Sequence, residues 1–311
     1  MRSTPLSRRD WLAALMGGAV LPAILPGRPA AQEPKFASGV EVVTISASIT
    51  DAAGRLVTDL TQEEFEVFED GVAQQITQFT KDRVPVSLAV LLDISDSMVG
   101  QRTNDARTAL DRFLFELLSR EDEFALILFN HQPTVASAWS SDPATVTPAL
   151  DALRGWGGTA IYDAVAAAIP LFEKRRRQRA AAVVISDGAD TASDITVREL
   201  RSKLLRCDAF VYAVGIDRDD PRALRTRINP YSLREFTDDT GGYTEIVKDT
   251  SELGAATERI ADELNKQYTL GYTPGRQPDS QFHGIRVRVK RPGHRVRARR
   301  GYIATPGKKR S

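Results

Sequence analysis

At 311 residues, with 42% apolar and 27% charged positions, the chain has room for two domains and a sizeable core. Its net charge of +1 gives no overall drive toward nucleic acid. The single cysteine, Cys207, excludes an intrachain disulfide and a cysteine-based zinc site, and reads as a small helix-end or core residue.

Residues 1–31 read as a targeting segment. Arg8 and Arg9 precede an apolar stretch, Leu12–Leu25, too short for a comfortable membrane span, and Pro29-Ala30-Ala31 offers small residues for cleavage. Ser7-Arg8-Arg9-Asp10-Trp11-Leu12 resembles a twin-arginine export signal, with Trp11 where that motif usually has Phe. The resemblance implies a protein exported in its folded state, to the periplasm or beyond. The alternative is an uncleaved N-terminal anchor.

Residues 36–84 form a β-rich segment. Val40–Ile49 is enriched in β-branched residues, Phe65–Glu69 alternates in part, and Gln75–Phe79 is the next strand. Glu69-Asp70-Gly71 is a hairpin turn, and the acidic residues around it read as a solvated face.

Residues 85–266 are expected to form the main domain. Val86–Leu92 is apolar apart from Ser87, the pattern of a strand buried on both faces. Thr103–Ser119 carries Ala106, Leu110, Phe113, Leu114 and Leu117 at helical spacing. Strands then follow at Glu123–Phe129, Ala180–Ile185, Ala209–Val214 and Gly241–Val247. Helices are expected at Ala160–Lys174 (with a kink at Pro170), Val197–Leu205 and Leu253–Lys266. This alternation predicts a doubly wound, Rossmann-like α/β fold with a mainly parallel sheet.

Residues 267–311 offer strands at Tyr268–Tyr272, Gly284–Lys290 and Val296–Arg300. Ile285, Val287 and Val289 alternate with Arg286, Arg288 and Lys290, so one face is apolar and the other cationic. The segment is too short for a core of its own. Its strands are expected to pair with residues 36–84, which inserts the α/β domain into a small β-sandwich.

The chemistry concentrates where strands end. Asp93, at the carboxyl end of the first apolar strand, is followed by Ser95 and Ser97; ligands of open α/β sheets bind at such ends. Thr159 follows the Gly157-Gly158 pair, and Asp187 ends the strand Ala180–Ile185. Hydroxyls and carboxylates together suit a hard cation, Mg2+ or Mn2+, in preference to Ca2+.

Asp93-x-Ser95-x-Ser97, Thr159 and Asp187 resemble, in type and chain order, the metal-ion-dependent adhesion site of von Willebrand factor type A domains. The flanks Phe65–Gly71, Tyr268–Tyr272 and Arg300-Gly301-Tyr302 resemble type A-related proteins described from acidobacteria. The resemblance implies that Ser95, Ser97 and Thr159 touch the metal directly, with Asp93 and Asp187 acting through water. It also implies metal-dependent binding of a protein partner that donates an Asp or Glu carboxylate. Asp96 and Asp190 are expected to be supporting or capping groups, and Asp163 to lie on a first helical turn.

Two other readings compete. A phosphoryl-transfer enzyme wants a second acid where Ser95 stands, and no paired acid and base is visible. His131, His283 and His294 are scattered and read as surface residues. A metal-independent envelope interaction protein is the remaining alternative. From Gln281 to Ser311 there are eleven Lys or Arg and no acid. That basic face reads first as solvated, and next as a contact for anionic envelope components rather than nucleic acid.

Overall fold

The first strand, β1 (Val43–Thr50), alternates as its sequence demands: Val43, Ile45, Ala47 and Ile49 are buried on one face. A second, β2 (Phe65–Glu69), reaches a turn in which Asp70 (φ 48°) and Gly71 (φ 84°) both take the left-handed region, as a two-residue hairpin requires. The hairpin returns as β3 (Val72–Gln74), a strand the sequence did not suggest. After Gln75, β4 (Ile76–Thr80) crosses to a different sheet. The computed structural model describes residues 42–98, 100–153, 155–217 and 229–304, all in the unit Glu41–Ser311. The export signal expected over 1–31, the start of the N-terminal β segment and the basic tail Lys308-Lys309-Arg310 lie outside them. Among the described residues no helix is long and apolar enough to cross a membrane.

The α/β part begins with β5 (Val86–Asp93), buried at every position. Next come α1 (Gln101–Arg112), closed by a π-helical turn over Phe113–Leu117, then β6 (Glu123–Phe129) and β7 (Pro133–Ser140). A short α2 (Thr147–Asp151) leads to α3 (Ile161–Glu173), which continues past Pro170, and then to β8 (Arg179–Ser186). Thr196 and Glu199 form a capping box at the start of α4 (Val197–Leu204), which precedes β9 (Phe210–Ile216). Asn229 caps α5 (Pro230–Thr240), which ends at Gly241 (φ 90°) before β10 (Thr244–Val247) and α6 (Leu253–Asn265). The strand expected from Gly241 is therefore shorter, because its first residues close a helix.

The six strands lie in the order β10-β9-β8-β5-β6-β7. All pairings are parallel except that of β7 with β6. Leu88, Val90 and Leu92 of β5 face α1 and α6, whereas Ala89 and Leu91 face α3, α4 and α5. Helices thus cover both faces of a mainly parallel sheet, as the buried apolar strands require. The strand that follows β5 in the sheet on one side is β6, and on the other side β8. Their carboxyl ends form the switch point of the sheet, the place where open α/β sheets bind ligands.

The chain then returns to its start with β11 (Tyr268–Tyr272), β12 (Phe282–Val289), β13 (Arg295–Ala298) and β14 (Gly301–Ile303). They complete two antiparallel sheets, β13-β1-β11-β4 and β14-β12-β2-β3. Both sheets therefore mix strands from the two ends of the described chain, around a core of Val43, Ile45, Phe65, Val67, Tyr268, Leu270, Ile285 and Val287. The α/β part is inserted between the halves of this sandwich.

A buried polar network joins the two parts. Glu263 of α6 accepts from Ser48 Oγ of β1 (2.8 Å) and from Tyr212 Oη of β9 (3.2 Å), and pairs with Arg297 of β13. Gln267 Nε2 donates to the same Ser48 and Tyr212 oxygens, each at 3.1 Å. Arg179 donates to the Leu264 carbonyl at the end of α6 (3.0 Å) and to the Val84 carbonyl (3.0 Å).

Candidate metal centre

The centre is built at the carboxyl ends of the paired strands β5 and β8. Asp93 ends β5 and is 1% exposed. Its Oδ1 accepts from the Ser95 N–H (2.8 Å) and its Oδ2 from Ser186 Oγ, at the end of β8 (2.5 Å). One carboxylate therefore ties the two central strands together where the sheet order reverses. Residues 96–98 then form a 3-10 turn, held by the Met98 N–H on the Ser95 carbonyl (3.0 Å). That turn brings the Ser95 and Ser97 hydroxyls to 3.1 Å, and Ser97 Oγ donates to Asp187 Oδ1 (2.5 Å). Asp93, Ser95, Ser97 and Asp187 are joined in one hydrogen-bonded chain.

Thr159 is placed by its backbone. Its N–H donates to Thr191 Oγ1 (3.0 Å), and its carbonyl accepts from the N–H groups of Thr191 (2.8 Å) and Ala192 (3.1 Å). The residues just before it are fastened to the first loop: Trp156 N–H donates to the Ile94 carbonyl and Asp96 N–H to the Gly157 carbonyl, both at 3.1 Å. Ala160 N–H donates to the Asn130 carbonyl (2.7 Å). Thr159 and Asp187 are both buried. Three loops distant in sequence are in this way bonded to one another.

The electrostatics follow from burial. Desolvation pushes the Asp93 carboxyl from 3.8 up to about 6. Hydrogen bonds from Ser186 and Ser95 work against this rise, and the negative charge of Asp187 adds to it. None of these neighbouring groups is cationic. The carboxylates of Asp93 and Asp187 and the hydroxyls of Ser95 and Ser97, joined in this chain, are oxygen donors of the kind that suits a hard divalent cation; Thr159 lies two residues beyond Gly157, whose carbonyl accepts from Asp96.

Other acids near the loops have structural work. Asp190 Oδ1 accepts from the Tyr162 N–H (3.2 Å) and from Ser193 Oγ (2.6 Å). Asp163, in the first turn of α3, accepts from the N–H groups of Asp194 (2.8 Å) and Ile195 (3.2 Å). Ser186, Thr191 and Asn130 support the centre without having stood out in the sequence. The signal for Ser186 was its place immediately before Asp187, at the end of an apolar strand.

A second cluster corrects two expectations. Glu69, Asp70 and His283 bring ligand atoms within 4.8 Å of one another in the sandwich. Glu69 is not part of a solvated face: it is buried, accepts from Tyr272 and pairs with Arg276. His283 is not a surface residue either: it is buried, with Nδ1 2.6 Å from Asp70 Oδ2 and Nε2 2.9 Å from Asp279 Oδ1. Burial alone would lower the His283 pKa, but its bonds to Asp279 and Asp70 raise it overall. Arg276 reaches both Glu69 and His283. A guanidinium thus supplies the positive charge that a metal would bring, and the cluster reads as a structural lock.

Residues 88–189 match the family model described as von Willebrand factor type A domain. The structure is similar to a von Willebrand factor type A protein from Catenulispora acidiphila, with a TM-score of 0.53 and 14% identity over 84% of this chain and 73% of the other. It is also similar to proximal thread matrix protein 1 from the mussel byssus, with a TM-score of 0.50 and 15% identity over 62% of this chain and 49% of that one. A conserved hypothetical protein, BatB, from Bacteroides thetaiotaomicron gives a TM-score of 0.48 and 22% identity over 58% of this chain and 98% of its own. At these identities the likeness is one of fold. No curated protein matches the chain.

Proposed function

From a chain that carries a von Willebrand factor type A domain, we propose an exported binding protein that holds a partner protein through a divalent cation, Mg2+ or Mn2+. Asp93, Ser95, Ser97, Thr159 and Asp187 would hold the ion. A bound Mg2+ would supply a Lewis-acidic position that a carboxylate from the partner completes. The observation that carries this reading is the hydrogen-bonded chain from Asp93 through Ser95 and Ser97 to Asp187, set at the carboxyl ends of the strands where the sheet order reverses.

The residues divide the work by charge. Ser95, Ser97 and Thr159 offer neutral oxygens, which leave the positive charge of a cation largely intact. Asp93 already accepts one protein hydrogen bond on each oxygen, which suits a role through water rather than direct neutralisation. Ser186 and the Ser95 N–H hold that carboxylate in place. The domain is proposed as a binding module and not as an enzyme, because among the described residues no acid and base are paired at the centre. The imidazole of His131 packs against Trp156. The twin-arginine-like segment supports placement in the periplasm or outside the cell.

The test is a pull-down from bacterial envelope extract with the full chain in Mg2+, with the full chain in EDTA, and with Asp93→Ala in Mg2+. A partner recovered only by the native protein in Mg2+ is expected. Equal recovery in all three would overturn the metal bridge and favour a metal-independent envelope interaction.

A further inference from the structure

Two unfavourable features meet beside the proposed metal loop. Trp156 is 56% exposed, although few side chains gain more from burial than an indole. Against it lies His131, with ring centroids 4.4 Å apart and planes tilted by 57°. The buried Nδ1 of His131 has no hydrogen-bond partner among the described residues, a state that folded interiors rarely keep.

Neither feature is slack in the chain. Trp156 N–H and the Gly157 carbonyl are bonded to Ile94 and Asp96, the two neighbours of Ser95. Gly157 takes φ 81°, and a Cβ there would lie 2.9 Å from His131 Nδ1. The glycine therefore lets the imidazole close on the backbone and brace the indole. Local rules broken together, on a loop bonded to its neighbour, mark a functional position. A braced, exposed tryptophan is the residue type that most often concentrates binding energy at an interface.

We infer that Trp156, braced by His131, is the second contact for the partner and seats an apolar side chain adjoining the partner's carboxylate. The inference rests on the metal-bridged reading. The ion would select the acid, and the indole would select its neighbour. A basic neighbour would also be attracted to the indole face, so it is the competing outcome.

The probe is an array of immobilised peptides, each with one central Glu flanked by Leu, Phe, Ser or Lys, overlaid with the full chain in Mg2+ or EDTA. In Mg2+ the native protein is expected to favour Leu and Phe flanks over Ser by about tenfold. Trp156→Ala should lose that preference while keeping Mg2+-dependent capture. Trp156→Phe, which keeps a ring against His131, should retain most of it. An unchanged preference in Trp156→Ala, or a native preference for Lys flanks, would overturn the inference alone. Capture of Glu peptides equally in Mg2+ and EDTA would overturn the metal bridge, and this inference with it.

Discussion

Asp93 is the residue on which burial and charge conflict most directly. Its carboxyl, raised from 3.8 to about 6, is more easily protonated in the folded chain than in the unfolded one. The sign is that of a destabilising charge: without metal, its penalty is absent below the unfolded pKa and complete above the folded one. A rise of this size corresponds to on the order of 3 kcal/mol. Exposed acids such as Asp59 and Asp279, whose pKa values are lowered by Arg291 and His283 respectively, slope the other way. Comparison with Asp93→Asn isolates the effect. In EDTA, urea unfolding should show Asp93→Asn gaining on the native protein as pH rises from 4 to 7, by roughly 2–3 kcal/mol. A constant difference across that range would contradict the burial account. At this scale Asp93, Ser95 and Ser97 were legible because a single short loop carries them. Ser186, Thr191 and His283 were not, because their roles depend on partners tens or hundreds of residues away.

Helix α6 shows the same conflict at the scale of an element. Its Glu263 is raised by burial, while Arg297, Ser48 and Tyr212 pull it back. Removing Arg297 leaves that carboxylate buried without its cation, which costs about 3 kcal/mol at neutral pH. Glu263→Gln leaves Arg297, 36% exposed, free to reach water, and should cost less. Urea unfolding at pH 7 is expected to rank Arg297→Ala below Glu263→Gln. The gap should narrow on acidification, as Glu263 takes up a proton. The opposite ranking would show that the network is not held by this pair. Elements with continuous or well-spaced apolar positions, β5, β8 and α3 among them, were legible in the sequence. Strand β7 was not, because it is an edge strand with no buried position. Helix α5 was missed because its buried positions, Leu233, Phe236, Thr237 and Thr240, are half polar. Its Asn229-Pro230 start was the overlooked signal.

For the unit Glu41–Ser311 as a whole, the decisive fact is that both sandwich sheets are closed by strands from opposite ends. The pairings β1–β11 and β2–β12 span the entire α/β insertion. Glu263, Gln267 and Arg179 then bond the insertion to the sandwich or to its connection. A single calorimetric transition is therefore expected for the full chain, and two resolved transitions would contradict this coupling. The insertion was legible because neither terminal β segment is long enough for its own core. The sheet exchange at Gln75 was not, since β3 and β4 are nearly contiguous.

A divalent ion held by Asp93, Ser95, Ser97, Thr159 and Asp187 would be located by its anomalous scattering. Diffraction from crystals of the full chain grown with Mn2+, read at the manganese edge, decides whether it is there. One anomalous peak is expected at about 2.1 Å from the Ser95, Ser97 and Thr159 hydroxyls, the distance of small-cation ligation. A peak elsewhere, or none at this centre, would contradict it.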